Sequence, residues 1–167
     1  MRRKLENEFP RFAAAFEKME IEDIEDPLTG EEIADLESRL NVVLPPSYKR
    51  FLSCMQGFTA FSGSVQMSTE HPFFHEFESF DKLSKEQQNA ISQKGQSWPP
   101  PSEGMLCFAE FFMDADGDQV LFDMDNRDSN GECAVYYYSH EDSPASIRKI
   151  ADSFEEWINE FPYYECF

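Results

Sequence analysis

Two adjacent prolines, Pro45 and Pro46, lie between two short apolar repeats of helical spacing, and this leaves the chain few ways to fold there. The stretch, residues 29–58, reads TGEEIADLESRLNVVLPPSYKRFLSCMQGF. Thr29 is placed to cap a first helix, with Glu32 three residues on completing a capping box. Ile33, Leu36 and Leu40 then recur on one helical face. Leu44 precedes a proline, which disfavours helical backbone, so the chain must leave the helix by then. Pro45 and Pro46 suit the opening turn of a second helix, where a missing N–H is no loss. Tyr48, Phe51, Leu52 and Met55 give that helix a buried face, and Gly57 is placed to end it. The spacing predicts helix, extended corner, helix.

Phe9, Phe12, Phe16 and Met19 mark one face of an earlier helix, with Pro10 near enough its start to be tolerated. Residues 21–27 (IEDIEDP) form an acidic link. Residues 58–80 predict mostly loop, with one short strand over residues 64–67. Ser84 and Gln87 suggest an amphipathic helix to about residue 93, and residues 98–101 (WPPP) a stiff extended connection. Beyond that point the pattern changes to strands. Residues 105–113 are almost continuously apolar, residues 119–124 and 133–139 follow, and residues 146–150 add a short fourth. Turn-forming residues 114–118 and 125–131 lie between them. Ser153, with Glu156 as a second capping box, opens a closing helix that buries Phe154, Trp157, Ile158 and Phe161 before Pro162 stops it. The fold class is therefore α+β: N-terminal helices packed with a mostly antiparallel sheet, and a closing C-terminal helix.

Both halves resemble the SUKH superfamily (Syd–US22–Knr homology) in its SMI/KNR type. The first block is carried by Glu32, Leu36, Leu40, Val42, Leu44, Pro45, Tyr48, Lys49, Phe51 and Leu52. The second is carried by Gly117 and Asp118, Val120 to Phe122, Val135, Tyr136 and Tyr137, and Ser153, Phe154 and Trp157. The asparagine-glycine-glycine that usually follows the second helix is replaced by Gln56, Gly57 and Phe58. The resemblance covers residues 29–161 of a chain expected to be one domain over residues 1–167. It implies an immunity protein of a polymorphic toxin system, bacterial and non-catalytic, or alternatively a regulatory scaffold of the same superfamily.

Composition narrows the choice of partner. Forty-one per cent hydrophobic content and 17 phenylalanines argue for a packed core despite a net charge of −19. Residues 101–167 hold 3 basic and 16 acidic side chains, against 11 and 17 in residues 1–100. Such a surface repels nucleic acid and anionic membrane and attracts basic partners. No apolar stretch approaches the roughly 20 residues of a membrane helix. MRRKLENEF has no apolar core of a secretory signal, so a cytoplasmic protein is expected. Cys54, Cys107, Cys133 and Cys166 lack zinc spacing and are expected to be reduced thiols.

Candidate chemistry is sparse. Asp114, Asp116 and Asp118 suggest a calcium loop, but its sixth and twelfth positions would be Gln119 and Asp125 rather than glycine and glutamate. Solvated turn acids are the expectation, with no metal and no cofactor. His71, His75 and His140 form no H-E-x-x-H, and no G-x-S-x-G or phosphate loop is present, so no enzyme is expected. The expected partner is a cognate basic protein toxin, bound by a monomer. The candidate contact residues, taken from charge and turn position, are Asp114, Asp116, Asp118, Asp123, Asp125, Asp128, Glu141 and Asp142, with Tyr136 or Tyr138 as an aromatic anchor. Alternation sets Tyr137 opposite Tyr136 and Tyr138, and leaves open which side is outward.

Overall fold

A computed structural model of the protein describes residues 2–69, 104–111, 118–139 and 146–163. The helix expected near residue 84, the WPPP connection, most of the acidic turn before Asp118 and the histidines lie outside these residues.

The N-terminal helix is divided into α1 (Arg2–Glu8) and α2 (Pro10–Ala14). The break is at Phe9, whose φ of −136° and ψ of 67° are not helical. Pro10 forces it, since its ring clashes with helical backbone at the preceding residue. Phe9, Phe12 and Met19 are nevertheless fully buried, so the apolar face continues across the break. The acidic link then runs beside the first strand, where Glu22 and Thr59 exchange backbone hydrogen bonds of 2.8 and 2.9 Å.

α3 (Gly30–Leu40) opens with the expected capping box. Thr29 Oγ1 accepts from the Glu32 N–H at 3.3 Å, and Glu32 Oε2 accepts from the Thr29 N–H at 2.7 Å. Asn41 ends the helix in the left-handed region at φ 54°, a conformation asparagine tolerates better than most residues. The corner is then held from behind: Glu37 Oε1 accepts from the Leu44 N–H at 2.7 Å and from Lys49 Nζ at 3.0 Å. Leu44 is completely buried, and α4 (Pro46–Leu52) follows with Pro46 in its first turn. Gly57 does not end α4, which closes at Leu52 with Ser53 as its cap. Its absent side chain instead permits close packing: a Cβ there would lie 2.1 Å from the Met67 carbonyl oxygen.

Among the described residues, six strands form one antiparallel sheet in chain order. They are β1 (Phe58–Ala60), β2 (Val65–Met67), β3 (Met105–Phe111), β4 (Gln119–Arg127), β5 (Cys133–Ser139) and β6 (Ser146–Ala151). β1 lies in a segment expected to be loop. β4 runs three residues past its expected end, because a register shift between Phe122 and Arg127 lets Arg127 pair with Cys133. α5 (Phe154–Glu160) is capped by Ser153 Oγ, which accepts from the Glu156 N–H at 3.2 Å. The Glu156 carboxylate reaches the Asp152 N–H at 2.6 Å, one residue short of a full box. A 3-10 turn, Phe161–Tyr163, follows at Pro162.

The principal core fills the space between the helices and one face of the sheet. Aromatic rings dominate it: Phe108 stacks on Phe122 at 3.9 Å, while Tyr48 lies 5.1 Å from Phe122 and 5.0 Å from Phe154. A second, smaller cluster on the opposite face joins Cys107, Leu121 and Tyr138, with Met105, Tyr136 and Ile147 packed around it. Burial on both faces explains why β3 is apolar at every position but Glu110.

Candidate functional site

Strand alternation sorts the acidic residues of β4 before any of them can be assigned a role. Val120 and Phe122 point into the principal core, so Leu121 and Asp123 point to the opposite face. Asp118, expected as a solvated turn acid, is completely buried. Its carboxylate accepts a hydrogen bond from the Tyr137 hydroxyl, and the Arg148 guanidinium lies over the Tyr137 ring at 5.1 Å. Asp118 therefore belongs to the interior and is not on the accessible surface. Asp123 is also nearly buried, and its Oδ1 accepts from the Asn126 N–H at 3.2 Å and from Asn126 Nδ2 at 3.1 Å. Asp125 and Asp128 are exposed. Asp114, Asp116, Glu141 and Asp142 lie outside the described residues.

The tyrosines divide as alternation requires. Tyr137 faces the principal core, while Tyr136 and Tyr138 face the other way. Tyr138 is buried at 3% exposure, and burial, with the Asp118 charge adding to it, pushes its hydroxyl pKa up to about 12. Tyr136 is only half-buried, so of the two candidate anchors it alone reaches the surface.

The β4–β5 turn is built around Asp128. Its Oδ1 accepts from the backbone N–H groups of Asn130 and Glu132, both at 2.8 Å, and its Oδ2 accepts from Asn130 Nδ2 at 3.2 Å. The Glu132 N–H bond is the main cause holding the Asp128 carboxyl below its ordinary value, with smaller contributions from Asn130 and Gly131. Asp125 lies across Gly104, where a Cβ would fall 2.1 Å from Asp125 Oδ2; at φ 94° Gly104 also favours glycine on backbone grounds.

This turn is fastened to the proline corner. The Arg127 guanidinium donates to the Gly131 carbonyl at 3.0 Å and to the Val43 carbonyl. Glu132 accepts from the Ser47 N–H at 2.8 Å and from Ser47 Oγ at 2.5 Å, which satisfies a free donor in the first turn of α4. The corner and the acidic turn, separate in the sequence, therefore form one continuous surface. It shows Val43, 62% exposed, beside the turn that carries Asp128 and Asn130. Sequence reasoning missed Val43, Ser47, Arg127 and Glu132. Val43 carried a usable signal: in an extended corner it must face opposite to buried Leu44. The links from Arg127 and Glu132 span 84 and 85 residues and leave no local trace.

Among the described residues, no group of three or more His, Cys, Asp or Glu side chains is arranged to hold a metal ion. Cys54, Cys107 and Cys133 are buried, and burial raises the Cys133 thiol to about 11. No helix among these residues is long and apolar enough to cross a membrane.

Among the described residues, helices on one face of a six-stranded antiparallel sheet, joined by a proline corner and closed by a capped C-terminal helix, make up an α+β fold. The chain belongs to the SMI1 / KNR4 family (SUKH-1), which it matches over residues 27–160. The matched span takes in the corner, all six strands and α5. A comparison with curated proteins finds no match.

Proposed function

We propose that this chain is a non-catalytic immunity protein that binds and neutralises a cognate basic toxin in the cytoplasm. Membership of the SUKH-1 family is consistent with that role. The observation that carries it is the charge asymmetry, 16 acidic against 3 basic side chains in residues 101–167. A toxin that cleaves nucleic acid must present a basic surface to hold phosphate, and carboxylates can occupy such a surface in place of phosphates. Charge complementarity then speeds encounter, while a few buried contacts set the lifetime of the complex. Of the candidate acids, Asp125 and Asp128 are exposed, with nearly buried Asp123 at the margin and Tyr136 as the aromatic anchor. Asp114, Asp116, Glu141 and Asp142 extend the proposed surface. No cofactor, nucleic acid or membrane takes part, and residues 1–167 act as a single domain and a monomer.

The test is co-expression with a candidate toxin taken from the product of a neighbouring gene. Cells expressing both proteins are expected to survive, and the purified pair to co-elute. Undiminished toxicity at full expression, with no complex formed, would overturn the proposal.

A further inference from the structure

We draw no further inference here: the strongest candidate, the row of Glu110, Gln119 and Tyr138 buried side by side on the face of the sheet away from the helices, carries none because nothing among the described residues shows what covers it.

Discussion

At the scale of single residues, Asp128 is a surface acid recruited into the fold. Backbone N–H groups bind its charged form, so its folded pKa lies below the unfolded value of about 3.9. The sign follows: the carboxylate contributes stability above the unfolded pKa, and that contribution is lost as pH falls through the folded value. A carboxyl-carbon NMR titration should therefore give Asp128 a midpoint below the ordinary aspartate range. A midpoint at or above about 3.9 would mean that the turn hydrogen bonds do not persist in solution. Leu44 and Val43 make a second residue-scale contrast. Leu44→Ala removes a fully buried side chain and should cost about 2–5 kcal/mol in urea unfolding. Val43→Ala, on an exposed neighbour, should stay within about 0.5 kcal/mol. Equal effects would mean that the corner does not place Leu44 in the core.

At the scale of elements, the central feature is the attachment of the β4–β5 hairpin to the first turn of α4. Ser47→Ala and Glu132→Ala should each destabilise the protein, and a double-mutant cycle should give a coupling of about 0.5–3 kcal/mol. Zero coupling would make the corner and the hairpin independent units. The elements most legible in the sequence were those specified by neighbours in the chain. Thr29 and Glu32 carry the α3 capping box within four residues, and Ser153 caps α5 as its position suggests. Less legible elements depend on distant partners. β1 is only three residues long and exists through pairing with β2 and with Glu22. The end of β4 resembles a turn in composition, and pairing of Arg127 with Cys133 makes it strand. The helix expected to carry Phe9, Phe12, Phe16 and Met19 is helical only from Pro10 to Ala14, and α1, on the other side of Phe9, was not read from the sequence.

At the scale of the whole molecule, the family, fold class and charge asymmetry were all readable from the sequence, whereas the accessible surface was only partly so. Charge and turn position do not report burial. They grouped Asp118 with Asp125, yet Asp118 is buried, with the Tyr137 hydroxyl brought to it through the pairing of β4 and β5, and Asp125 is exposed. Tyr138 is likewise buried, while Tyr136, packed against the same cluster, is only half-buried. The acidic surface has a kinetic consequence that tests the account most directly. Association with the proposed basic toxin, followed by stopped flow, should slow by about tenfold or more between low salt and 0.5 M, because exposed charges are screened over about 10 Å at 0.1 M. Dissociation should change far less. Asp125→Asn with Asp128→Asn should lower both the low-salt association rate and its salt dependence, while Tyr136→Ala should act mainly on dissociation. Association that ignores salt, together with unchanged binding by the double Asn variant, would contradict the account and remove the acidic turn from the interface.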